Sequence, residues 1–359
     1  MTLLPANEEL DLQLLKRPVE DVLAGFLAVK RARNTASRLP DLTTALRDFV
    51  MAGGKRLRPV LTLVGWHAAG AHGAPSTVHH LAASLELFHA FALIHDDVMD
   101  RSDTRRGQPT IHRTFAQQHT GPGTAHAAER FGEGAAILVG DLALVWSDEL
   151  LHAGHPTPAQ LDNVLPLLAE MRSEVAFGQF LDLEAGGTTH HSVETALNVI
   201  RYKTAKYTIE RPLHLGAALA GAGHTTLEQL SAYAIPLGEA FQLRDDLLGV
   251  FGDPATTGKP ALDDLREGKA TVLIALALER AHPAQAATLR HYLGNPALTE
   301  DQAHAARRII TATGADLFVE EMITERYEQA LFSLRKAPFA VPAVQALSRL
   351  ADSAVRRHT

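Results

Sequence analysis

The chain contains no cysteine. That excludes disulfide staples and thiolate metal sites, and it suits a reducing compartment. Aromatic residues are scarce at 6%, while alanine and leucine abound, a composition that favours helix over sheet. Positive charge is in deficit. Lys and Arg number 34 against 41 Asp and Glu, a formal net charge of −7, which argues against a nucleic-acid binder. No apolar run is expected to reach the length of a membrane span. The first residues, MTLLPANEELDLQLLKRPVE, are acidic early and lack the basic-then-apolar pattern of a secretory signal. These readings lead to a cytoplasmic protein without stable membrane insertion.

Core material is plentiful. Of 359 residues, 46% are apolar and 21% charged, enough to bury a core and too little charge for disorder. Apolar residues recur mostly at helical spacing. Helices are predicted near 8–36, 40–52, 59–70, 76–102, 134–152, 158–183, 192–220, 225–250, 262–282, 299–334 and 340–357. Short breaks rich in Gly, Pro, Thr and His separate them, as between neighbours in a bundle. One longer irregular stretch, QQHTGPGTAHAAERFGEG at about 117–134, reads as a lid or a disordered excursion. With no repeat and no domain boundary, the expectation is one all-α domain over 1–359, with 1–36 as an N-terminal helical extension.

The stretch LIHDDVMDRSDTRRGQPT sets Asp96, Asp97 and Asp100 behind an apolar helical run. Asp96 and Asp100 are four apart and share a helix face, with Asp97 about 100° round the wheel, so all three are expected to reach a common point. Carboxylates at a helix C-terminus oppose the macrodipole, which favours a bound cation, and a solvated acidic helix end is the alternative reading. A calcium loop fails, because Val98 and Arg101 stand where an oxygen ligand and a glycine are needed. An all-oxygen set suits Mg²⁺ bridging to substrate phosphates.

A second apolar helix ends in Asp245 and Asp246, with Gln242 three residues before Asp245 and Gly249 in place of a third Asp. The cations are also grouped. GGKRLRP supplies Lys55, Arg56 and Arg58 after two glycines that let backbone approach an anion at a helix start. Arg105 and Arg106 follow the first cluster, and Lys203, Lys259 and Lys269 are further candidates. Such a set is compatible with two diphosphates, one clamped through Mg²⁺ and one held by Lys and Arg alone, above an apolar slot.

These motifs, with YKTAKYT, FQLRDDLLGVFGDPATTGKP and DDLREGKATVL, resemble those of the trans-isoprenyl diphosphate synthases, or polyprenyl synthetases, in the same order. The resemblance implies the isoprenoid synthase fold, an all-α bundle around a deep central cavity, and a homodimer. It implies head-to-tail condensation of isopentenyl diphosphate with an allylic diphosphate and about three Mg²⁺ ions. Carried over, Asp96, Asp97, Asp100, Asp245 and Asp246 bind metal. Arg105, Lys203 and Lys259 bind the allylic diphosphate, and Lys55, Arg58, His89 and Arg106 bind isopentenyl diphosphate. Thr204 and Gln242 flank the allylic cation, with Lys203 beside them. His95 is expected to pack rather than to bind metal.

Product length is read upstream of the first cluster. Phe91, with the small Ala92 beside it and Phe88 behind, resembles synthases that stop at geranylgeranyl diphosphate (C20). The helical wheel by itself does not single out Phe91, which lies about 140° from Asp96, with Ala92 at about 40° and Phe88 at about 80°; the choice of Phe91 rests on the resemblance. Gly249 departs from the family's usual Asp, and Asp253 in the GDP turn is expected to cap a loop. A farnesyl or longer-chain synthase, a class I terpene cyclase and a non-catalytic regulatory subunit are the alternatives.

Overall fold

The computed structural model describes residues 9–36, 41–119, 125–186, 192–252 and 263–355, with backbone alone at 263–264. The expected all-α architecture is what it shows. Helices α1 (Lys16–Ala36), α2 (Leu42–Met51), α3 (Leu57–Ala68) and α4 (Ser76–Met99) lead to a minimal antiparallel hairpin, β1 (Thr104–Arg105) and β2 (Gln108–Pro109). Then come α5 (Ile111–Gln118), α6 (Ala125–Ala153), α7 (Pro158–Gly186) and α8 (Val193–Val199), which runs on as a π-helical segment, Ile200–Glu210, into α9 (Arg211–Leu219). The remainder is α10 (His224–Phe251), α11 (Asp263–Glu267), α12 (Val272–Arg280), α13 (Pro283–Tyr292), α14 (Glu300–Ala312), α15 (Ala315–Lys336) and α16 (Val341–Val355).

Several boundaries differ from the sequence reading. The helix expected from residue 134 starts at Ala125, because its first turns lie on α5, which the pattern did not reveal. A side chain at Gly132 would strike the His112 carbonyl at 2.2 Å. Only Ile111 and His112 of α5 are buried, too few to give a periodic stripe. Helix α13 was missed for the same reason, with only Ala286 and Leu289 buried. Its start is fixed by a reciprocal cap between His282 and Gln285. The helix predicted over 299–334 breaks at Gly314 (φ 69°), and that over 262–282 breaks after Gly268 (φ 68°), both in the left-handed region. The first helix begins at Lys16 rather than residue 8.

Helix α4 corrects another expectation. By length and composition it could cross a bilayer, yet 61% of its apolar window is buried inside the fold. It is a core helix, packed along α6 in the first of three hydrophobic clusters. The second cluster joins α8 and α10 to α12–α15, and the third joins α3, α9, α10, α15 and α16. Helix α9 is buried all round, as befits a strut between layers. Between α4, α7, the π-helical segment and α10, over the start of α3, lies a cavity of about 550 Å³.

Candidate active site

Helix α4 presents His89, Ala92, Leu93 and Asp96 to this cavity, one helical face spaced by three and four residues. Phe88 and Phe91 do not line it. Phe88 is buried, with its ring 5.4 Å from Phe91 and 5.8 Å from Tyr207, and Phe91 sits 4.7 Å from His95. The wall position therefore belongs to Ala92, and Phe91 packs between Phe88 and His95. His95 packs on Gly140 and places Nε2 3.1 Å from the Ile137 carbonyl.

Of the three aspartates of the first motif, only Asp96 lines the cavity. Asp97 is only 2% exposed, and its carboxylate accepts from Arg105 Nε at 2.8 and 2.9 Å. Burial pushes the Asp97 carboxyl above its usual range despite this partner. Asp96 faces the cavity. Burial works against its charge, but Lys203, at 3.0 Å, and Arg105 hold it below the usual carboxylate range. Asp100 caps the helix, and burial and then Asp96 push it up to about 6. From α10, Asp245 lines the cavity, whereas Asp246 is buried and accepts from Gln242 Nε2 at 2.8 Å. Gly249 is half-buried one turn beyond Asp245.

Among the described residues, no three His, Asp or Glu side chains gather closely enough to enclose a metal. The donors nevertheless fit Mg²⁺. They are all hard oxygens, and Asp96 and Asp245 reach one cavity from two helices. Asp100, near Asp96, has its charge opposed by burial and by Asp96. Mg²⁺ commonly binds one or two carboxylates and completes its shell with water and phosphate, so open half-sites suffice.

The cations divide into two groups. Arg105 on β1 turns to Asp96 and Asp97, beside Lys203. Its chain neighbour Arg106 adopts φ 53° in the hairpin turn and points away, donating to the Gly53 carbonyl. A side chain at Gly54, whose φ is 155°, would lie 3.1 Å from that guanidinium. Arg106 thus joins Lys55 and Arg58 at the GGKRLRP loop, and all three line the cavity. Arg58 donates to Thr208 Oγ1 at 2.6 Å and lies 4.2 Å over the Tyr207 ring. His89 Nδ1 is 3.2 Å from the Tyr207 hydroxyl. Burial, with Arg58, Arg105 and Arg106 around it, holds His89 well below its ordinary pKa and therefore neutral.

Arg56 is the exception in its motif. It is buried in a left-handed conformation (φ 51°), donating to Glu86 at 2.7 Å and to the Val50 carbonyl at 2.7 Å. It shapes the loop from inside. Lys269 pairs with Glu267 at 3.0 Å. Lys259 and Asp253 lie outside the described residues.

The π-helical segment delivers Lys203 and Thr204 to the cavity. It is clamped between two helices through glycines. A Cβ at Gly178 of α7 would come within 2.6 Å of the Lys203 nitrogen, and one at Gly238 of α10 within 2.4 Å of the Ala205 Cα. Such widened turns often mark functional sites. Thr204 Oγ1 donates to Gln242 Oε1 at 2.9 Å, so the two side chains expected to work together do meet. Sequence reasoning missed Glu86, Tyr207, Gln179 and Asp182 around the cavity. For the last two, the signal available was a polar pair spaced three apart in the apolar run FGQFLD.

Known proteins share this fold. The sequence profile of the polyprenyl synthetase family matches residues 40–310. A crystal structure of geranylgeranyl pyrophosphate synthase from Corynebacterium glutamicum, complexed with isoprenyl diphosphate and magnesium, superposes with a TM-score of 0.92 at 41% identity. That likeness covers 97% of this chain and 100% of that one. The geranylfarnesyl diphosphate synthase of Aeropyrum pernix is 35% identical, over 86% of this chain and 91% of its own. The geranylgeranyl diphosphate synthase of Sulfolobus acidocaldarius is 29% identical, over 89% and 92% respectively. The helical bundle and its charged cavity are those of an isoprenyl diphosphate synthase. The chain belongs to the polyprenyl synthetase family.

Proposed function

We propose that the protein condenses isopentenyl diphosphate with allylic diphosphates (C5 to C15), head to tail, and that its main product is geranylgeranyl diphosphate. The observation that carries this reading is the division of the cations. Arg105 and Arg106 are adjacent in sequence, yet one turns to Asp96 and Asp97 and the other to the Gly53 loop. Two separate anion sites over one apolar cavity suit two diphosphate substrates. A cyclase, with a single diphosphate, needs only one.

In this reading Arg105 and Lys203 take the allylic diphosphate, with Lys259 as a further ligand. Lys55, Arg58, Arg106 and neutral His89 take isopentenyl diphosphate. Mg²⁺, when bound, neutralises diphosphate oxygens and eases departure of the leaving group. Asp96, Asp100 and Asp245 would hold it, with Asp246 tied to the same helix end through Gln242. As the allylic C–O bond breaks, Lys203 and Arg105 stay with the departing diphosphate. Thr204 and Gln242 turn oxygens toward the cation. Ala92, Leu93, Val175 and Phe241 form dry walls that keep water from it. The isopentenyl double bond then attacks, and a proton passes to the released diphosphate. No protein nucleophile is required.

The C20 product is supported by the full-length likeness to a geranylgeranyl pyrophosphate synthase. Phe91, next to Ala92 in the chain, remains the proposed floor. A homodimer is supported by large apolar side chains left exposed on α6 and α7, Leu138 (56%), Val145 (61%), Phe177 (68%) and Phe180 (64%). A cytoplasmic location suits water-soluble diphosphate substrates. The direct test is incubation with radiolabelled isopentenyl diphosphate, Mg²⁺ and each allylic primer. Elongation to C20 is expected. Hydrocarbon released without isopentenyl diphosphate would mean a cyclase, and no turnover a regulatory subunit.

A further inference from the structure

The first motif's Asp96 does not hold Lys203 alone. The Lys203 ammonium lies 3.0 Å from Asp96 Oδ1 and 2.5 Å from Asp182 Oδ2 on α7. Asp182 is outside every motif the sequence singled out. It is three-quarters shielded from solvent, at 24% side-chain exposure. Its position is built rather than incidental. Gly178 lets the α7 backbone abut the Lys203 backbone, and Asp182, one turn further along, lies against the Lys203 side chain. The same turn carries Gln179, which lines the cavity with its side-chain amide nitrogen buried and unpartnered. This stretch of α7 is therefore a wall of the site.

We propose that Asp182 is a positioning residue for Lys203, holding the ammonium between α4 and α7 so that it meets the allylic diphosphate instead of closing on Asp96. This rests on the prenyl-transfer reading of the site. The physical reason is competition. An ammonium shared by two carboxylates is bound fully by neither. Remove Asp182, and Lys203 collapses onto Asp96, which neutralises a metal-binding carboxylate and withdraws the cation from the diphosphate.

The test is a double-mutant cycle on the full-length protein. Asp182→Asn is expected to raise the KM for the allylic diphosphate roughly tenfold, with the KM for isopentenyl diphosphate unchanged. In a Lys203→Ala background the same substitution should have almost no further effect on that KM. Asp182→Glu, which restores the charge, should recover most of the loss. Equal losses in both backgrounds, or a parallel rise in the KM for isopentenyl diphosphate, would overturn the proposal. Thermal melting of each variant identifies a folding defect, and if Asp182→Asn does not fold, Asp182→Glu carries the cycle with a smaller predicted change. Calorimetric binding of inorganic diphosphate with Mg²⁺ repeats the cycle without turnover. Failure of the wild-type protein to elongate any primer counts against the prenyl-transfer reading, whereas lost coupling in the binding cycle counts against Asp182 alone.

Discussion

Arg105 grips the buried carboxylate of Asp97 with Nε at 2.8 and 2.9 Å and a terminal nitrogen at 2.7 Å, while reaching Asp96 at only 3.5 Å. Asp97 thus orients an arginine instead of facing the cavity beside Asp96. Asp97→Ala leaves that guanidinium without its fork partner and is expected to cost about 3 kcal/mol of stability. The KM for the allylic diphosphate should rise with it. Urea unfolding and steady-state kinetics check both. Unchanged stability with a purely Mg²⁺-dependent defect would return Asp97 to the metal-binding set.

Asp100 predicts a pH effect. Its carboxyl titrates at about 6 in the folded chain, against 3.8 for the free side chain. The folded state therefore holds this proton more tightly than the unfolded state. Below the free value the group is neutral in both, and stability falls as pH rises through about 6. Asp100→Asn removes the strain. Without Mg²⁺ the variant is expected to melt at a higher temperature than wild type at pH 7, with the gap closing at pH 4. A melting temperature that drops at pH 7 contradicts this assignment.

Ala92 and Phe91 predict opposite changes in product length. Ala92 lines the cavity, so Ala92→Phe should fill it and shift products toward C15. Phe91 packs between Phe88 and His95, and Phe91→Ala should open space beside the cavity and lengthen products. Reversed-phase chromatography of dephosphorylated products reads both. Unchanged length in Phe91→Ala removes Phe91 from the floor.

The apolar outer face of α7 predicts oligomeric state. Phe177→Glu with Phe180→Glu places charge at the two most exposed aromatic positions of that face and should yield monomer by sedimentation velocity. A dimer that survives both changes assembles elsewhere.

The sequence by itself determined the class of fold, because alanine- and leucine-rich segments at helical spacing have one economical way to bury their stripes. It also determined the chemical inventory, since motif residues such as Asp96, Arg105 and Lys203 are covalently spaced and need no packing to be recognised. It could not show that neighbours part company. Arg105 and Arg106 look interchangeable in the string, and only the hairpin turn sends one to Asp97 and the other to Gly53. Nor could it find α5 or α13, whose thin buried stripes acquire meaning only from the helices they touch. The pairing of Asp182 was hidden for a related reason. Its partner Lys203 is distant in the chain, and the contact exists because Gly178 lets α7 press against a π-helical turn. Local spacing fixes which groups are present. Tertiary packing decides which of them meet, and hence which carboxylate faces the cavity and which steadies a cation.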